Sequence, residues 1–132
     1  MFREYQSSLR YGRTLKLRIL DDSVRYRLSR SEVDGVGEGQ EVRSSTRFPG
    51  GGQLTYVLSP SEQAEVSAEF EDRTIMVRIP RADGLKWARS DEVALVDREV
   101  SGLRILIEKD FHCLDPREGD DQSDLFPHPD QQ

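Results

Sequence analysis

With a single cysteine, Cys113, the chain cannot form an internal disulfide, which fits a reducing compartment. It also lacks any apolar run long enough to cross a bilayer. Its first residues, MFREYQSSLRYGRTLKL, hold no hydrophobic segment of the kind a secretory signal needs. The expectation is a cytoplasmic protein with no membrane attachment. At 132 residues there is room for one domain and one modest core, so no second catalytic domain is expected. Catalytic signatures are missing too. The Gly50 to Gly52 stretch has neither the following helix nor the Lys-Ser/Thr pair of a phosphate-binding loop, and hairpin chemistry explains it.

What the chain has in excess is charge, and the two signs are unevenly placed. Residues 1–52 carry ten Lys and Arg against seven Asp and Glu; residues 53–109 carry eight against eleven; residues 110–132 carry one against seven. The chain therefore runs from basic to acidic. Its last stretch reads as an acidic tail outside the core.

Between these ends the apolar residues alternate. Leu15, Leu17 and Ile19 against Lys16 and Arg18, then Val24, Tyr26 and Leu28 against Arg25 and Arg27, predict a hairpin with one apolar face turning at Asp21-Asp22. Residues 29–38 predict a short helix capped by Ser29 or Ser31 and ended by Gly35, Gly37 and Gly39. Residues 40–48 and 53–59 predict two strands joined through Pro49 and three glycines.

The order then repeats. Val66, Ala68 and Phe70, a turn at Asp72-Arg73, and Ile75, Val77 and Ile79 predict a second hairpin. Residues 81–90 predict a second helix, with Pro80 at its first turn and Leu85 and Trp87 facing inward. Residues 92–100 and 103–109 supply two closing strands around Ser101-Gly102. At an offset of 51, residues 19–42 align with residues 70–93 without a gap, and Asp21, Arg27, Arg30, Glu41 and Val42 meet identical residues. The expected organisation is an N-terminal extension over 1–13, repeated ββαββ units over 14–59 and 65–109, and the tail over 110–132.

Val77-Arg78-Ile79-Pro80 leading into a short helix and then Ser90-Asp91-Glu92-Val93 resembles the swapped-hairpin DNA-binding proteins of the AbrB and MazE type. Tyr26-Arg27-Leu28-Ser29 followed by Gly39-Gln40-Glu41-Val42 is a weaker version of the same pattern. In that family two ββαββ subunits interleave around a shared barrel core. The resemblance therefore implies a mainly β fold with two short helices, a single-chain pseudo-dimeric barrel, and a non-enzymatic binding or regulatory role on an antitoxin-like or regulator-like scaffold. Separately, SVRYRLSRSEV and the segment from Leu103 to Pro129 are similar to small bacterial proteins that carry no assigned function.

Three groups of residues are candidates for a site. Lys16, Arg18, Arg25 and Arg27 share the outward face of the first hairpin, where four cations could meet phosphate. The resemblance implies DNA contacts at Arg18 and Arg27 and, in the second unit, at Arg73 and Arg78. Glu65, Glu69 and Glu71 oppose a symmetric DNA site, as does the net charge of −6. In the tail, Leu125, Phe126 and Pro127 are apolar anchors among carboxylates, suited to docking on the chain's own basic hairpin or on a protein partner with a basic surface. His112, Cys113, Asp115 and His128 carry metal-ligand chemistry, the basis of an alternative reading as a metal-binding or small enzymatic barrel, though their spacing matches no closed zinc pattern. No cofactor is expected. The chain is expected to be a monomer or a homodimer.

Overall fold

The computed structural model describes residues 15–111 and 123–127. Each alternating run becomes a strand. β1 (Lys16–Leu20) and β2 (Ser23–Leu28) form the first hairpin, α1 (Arg30–Gly37) follows, and β3 (Val42–Arg47) with β4 (Gln53–Ser61) forms the second. β5 (Ser67–Glu71) and β6 (Thr74–Pro80), α2 (Arg81–Ala88), and β7 (Ala94–Val100) with β8 (Leu103–Lys109) repeat that order.

The hairpins do not stay with their own half. One four-stranded sheet runs β1-β2-β8-β7 and the other β3-β4-β6-β5, so each joins one hairpin from each half of the chain. Both seams are parallel. Val24 and Tyr26 lie opposite Ile105 and Ile107, while Ile75 and Val77 lie opposite Tyr56 and Leu58. The same element order thus builds both sheets. Two sheets stand where a closed barrel was expected. Among the described residues, β1, β7, β3 and β5 have no further strand beyond them.

The core lies between the sheets and under the helices. Tyr26, Leu28, Leu58, Val77, Ile79, Ile105 and Ile107 are fully buried, joined by Val33 and Val36 from α1 and Trp87 from α2. Alternation overstates burial on the edge strands. Leu15 is buried, Leu17 half-buried and Ile19 56% exposed; in the second half Val66 is buried, Ala68 half-buried and Phe70 69% exposed. Both edge strands run past the end of the core towards their turns, so an inward-pointing side chain finds nothing opposite it. Leu85, expected inward, is also exposed, and the core-facing place on α2 goes to Gly84.

Local chemistry accounts for the joints. Ser29 caps α1 through a reciprocal capping box: its hydroxyl accepts from Glu32 N at 3.4 Å, and Glu32 Oε1 accepts from Ser29 N at 2.9 Å. Gly39, at φ +82°, reverses the chain after α1, and Gln40 N then donates to Gly35 O at 2.9 Å. Asp72-Arg73 and Ser101-Gly102 both have positive φ at their two central positions, as a tight two-residue hairpin turn requires.

The helices touch where both are small. A Cβ added to Gly37 would lie 2.6 Å from the Cβ of Ala88, and one added to Gly84 would lie 2.9 Å from Val36 Cγ1. Gly37 and Ala88 are themselves separated by 51 residues, so their contact marks the place where matching elements of the two halves meet.

Candidate functional site: a cleft at the helix ends

The candidate cations of the first hairpin do share one face, because Lys16 lies opposite Arg27 and Arg18 opposite Arg25. Parallel pairing also brings β8 alongside, with Glu108 in register with Arg27. Glu108 Oε1 is 2.8 Å from Arg25 Nη2 and 3.9 Å from Arg27 Nε. Lys16 Nζ lies 2.8 Å from Asp110 Oδ2, a close charge contact in which the donor direction falls outside hydrogen-bond geometry. In the second unit Arg78 pairs with Glu69 at 2.8 Å, and Arg73 sits exposed in the β5-β6 turn. Four of the six candidate cations thus have a carboxylate beside them, and on the first hairpin Glu108 and Asp110 offset two of the four positive charges of the expected basic face.

Leu125 and Phe126 pack on the chain's own domain, between the end of β8 and the start of α1. Leu125 is buried, and Phe126 N donates to Asp110 O at 3.0 Å. Arg30 N, at the start of α1, donates to Asp124 O at 2.8 Å. Phe126 lies 5.7 Å from the ring of Phe111, while Pro127 is exposed. His112, Cys113, Asp115 and His128 lie outside the described residues. Among the described residues no three His, Cys, Asp or Glu side chains group as metal ligands.

Beside this docked segment is a cleft of about 540 Å³. α1 lines it with Arg30, Val33 and Asp34; the end of α2 and the following loop contribute Ala88, Arg89, Ser90, Asp91 and Val93. The end of β8 adds Lys109 and Phe111, and the docked segment adds Phe126 and Pro127. This volume falls within the range that holds small organic ligands.

Lys109 is the unusual member. It ends β8, where the alternation of Ile105 and Ile107 continues inward, and the residue is only 6% exposed. Its ammonium donates to Ser90 O at 2.6 Å and stands 5.7 Å from the ring centre of Trp87 and 5.4 Å from that of Phe126. Among the described residues no carboxylate comes within ion-pair distance of it. Burial holds its ammonium below the usual lysine range, an effect that Asp91 and Glu92 nearby partly offset. Trp87, beneath it, is 3% exposed and donates from Nε1 to Val93 O at 3.3 Å.

Sequence reasoning passed over Lys109. The available signal was a lysine at the inward phase of an apolar strand, two residues after Ile107.

By architecture this is a mainly β protein of two four-stranded sheets with two short helices and an open cleft at the helix ends. The chain belongs to the DUF7009 family of unknown function, whose model matches residues 15–130. No curated protein and no solved structure matches it. None of the helices among the described residues is long and apolar enough to cross a membrane.

Proposed function

We propose that this chain is a non-enzymatic binding or regulatory module, an interleaved-hairpin scaffold made by duplication of a ββαββ unit, whose ligand surface is the helix-end cleft. The carrying observation is Lys109, a buried ammonium in a cleft wall with no carboxylate partner among the described residues. A buried charge is costly unless it is paired, and sites that tolerate this cost are enriched among functional ones. The strand orders support the scaffold reading, since one chain here arranges its hairpins as two interleaved subunits would. A unit of about 50 residues buries little apolar surface and is marginal alone, which gives a single-chain pair its physical sense.

DNA binding through the first hairpin is the weaker reading. Counterion release rewards each free cation, whereas Glu108 and Asp110 already occupy three of the four on that face.

Trp87 provides the test, being the sole tryptophan and lying under the cleft. Its fluorescence should change on titration with at least one class in a panel of aromatic carboxylates, nucleotides, sugars and short acidic peptides. Duplex DNA at about 150 mM salt should leave it unchanged. Silence towards the whole panel, together with DNA retention that weakens steeply with salt, would transfer the function to the basic hairpin.

A further inference from the structure

The two halves treat their matching arginines differently. Arg81, at the start of α2, is paired from Nε to Glu62 Oε2 at 2.9 Å, and its guanidinium lies against Gly39 so closely that a Cβ there would sit 2.1 Å from Nη1. That arginine covers the end of α1. Arg30, at the start of α1, instead places Cζ 5.1 Å from the ring centre of Phe126, with no ion pair among the described residues. The space corresponding to the one beside Arg81 is therefore left open, and it is the cleft.

A second difference sits on the seams. Lys109 lies opposite Leu28, and its counterpart opposite Ile79 is Pro60. One half thus ends its seam in a proline that carries no charge, the other in a buried ammonium that lines the cleft. An ammonium has three N–H donors, and one is used by Ser90 O. The arginine release, the lysine and the open space coincide at one end of the molecule.

The charge count sets the kind of ligand. Arg30, Arg89 and Lys109 face Asp34 and Asp91 around the cleft, an excess of one positive charge. A single negative charge balances this excess, while a dianion would meet the two carboxylates as well. Apart from Ser90, the rest of the lining is apolar or aromatic, with Phe111 and Phe126 at 5.7 Å and tilted to one another by 53°. Such walls suit a flat apolar body.

We infer that the cleft binds an organic monoanion with a flat apolar body, an aryl carboxylate, whose carboxylate is held by Lys109 and Arg30 and whose ring lies against Phe111 and Phe126. This assignment rests on the reading of the cleft as the binding surface and adds its ligand class. The desolvated ammonium gains a partner on binding, and Phe126, which now lies beside it, becomes one of the ligand's walls.

The test is calorimetric titration of the full chain with 2-naphthoate, 2-naphthylmethanol and 2-naphthyl phosphate. Naphthoate should bind with a Kd below about 1 mM, and the alcohol and the phosphate should each be about tenfold weaker or more. Lys109→Met keeps the buried stem while removing the charge and should weaken naphthoate about tenfold. Arg30→Gln, an exposed change, should weaken it about threefold, which keeps the test decisive should the lysine variant fail to fold. Arg18→Gln on the distant hairpin should change nothing. The monoanion assignment is overturned if the alcohol or phosphate binds as tightly as naphthoate, if both cleft variants bind normally, or if none of the three binds. A Trp87 response to another ligand class would then leave the cleft as the binding surface, while silence there too would remove both readings.

Discussion

The Tyr26 hydroxyl points from one sheet to the backbone of the other, 3.1 Å from Val57 O on β4 and 3.3 Å from Ile75 O on β6. Tyr26 is completely buried on β2, and its ring lies 6.3 Å from that of Tyr56. One proton shared between two carbonyls ties together three strands that are far apart in sequence.

Removing that hydroxyl should destabilise the domain without changing its fold. Tyr26→Phe is expected to lower unfolding stability by about 1 to 2 kcal/mol, since a buried hydrogen bond is lost while the ring still fills its place. Urea unfolding followed by circular dichroism would read it. A change below about 0.3 kcal/mol would mean that the bond carries no net stability.

Alkaline pH should act on two buried groups with opposite signs. Burial pushes the Tyr26 phenol far above its usual value of 10.0. The unfolded chain therefore loses that proton first, and the stability Tyr26 contributes is complete below pH 10 and falls as pH rises past it. Lys109 is held below its usual value of 10.5 mainly by burial. The unfolded chain binds that proton more tightly, so stability from this group rises with pH between the folded value and 10.5. Lys109→Met should consequently compare most favourably with the parent at neutral pH, with the difference shrinking towards pH 10.5. Urea midpoints measured from pH 7 to 10.5 would show this trend, and a constant difference would mean that Lys109 titrates as it does in the unfolded chain.

The contact between α1 and α2 should behave as a coupled pair. Gly37→Ala would place a methyl 2.6 Å from Ala88 Cβ. Crowding of this kind costs about 1 to 3 kcal/mol, against a helix-propensity gain of at most about 1 kcal/mol. The single variant should be destabilised, and adding Ala88→Gly should recover part of the loss. A double-mutant cycle with no coupling would mean that the helices move apart freely.

The docked segment should detach locally when its anchor is cut back. Leu125→Ala is expected to speed hydrogen exchange at the Arg30 and Phe126 amides by tenfold or more, because those amides donate to Asp124 O and Asp110 O in the docked arrangement. Exchange in β2 and β8 should stay as it was. Uniform acceleration across both sheets would instead make Leu125 part of the cooperative core.

Much of the local structure was legible in the residues. The alternation through Val24, Tyr26 and Leu28 and through Ile75, Val77 and Ile79 located the inner strands, Ser29 located a cap, and Asp72-Arg73 and Ser101-Gly102 located turns, because each depends on neighbours within a few residues. Ile19 and Phe70 were misplaced because period-two patterning reports which way a side chain points and not whether the core extends that far. The cations Arg25 and Arg27 were legible as a shared face, but their neutralisation was not, since Glu108 lies more than 80 residues away and arrives only by parallel pairing.

By itself, then, the sequence determined the elements, their order and the repeat of that order, through patterns that each strand, turn and cap carries locally. Only the tertiary structure decided which hairpin lies beside which, that Arg81 covers its helix end while Arg30 leaves its own open, and that Lys109 stands buried in the wall of a cleft. Those outcomes depend on the packing of distant segments against one another, where burial and charge are set by what is opposite and not by what is adjacent.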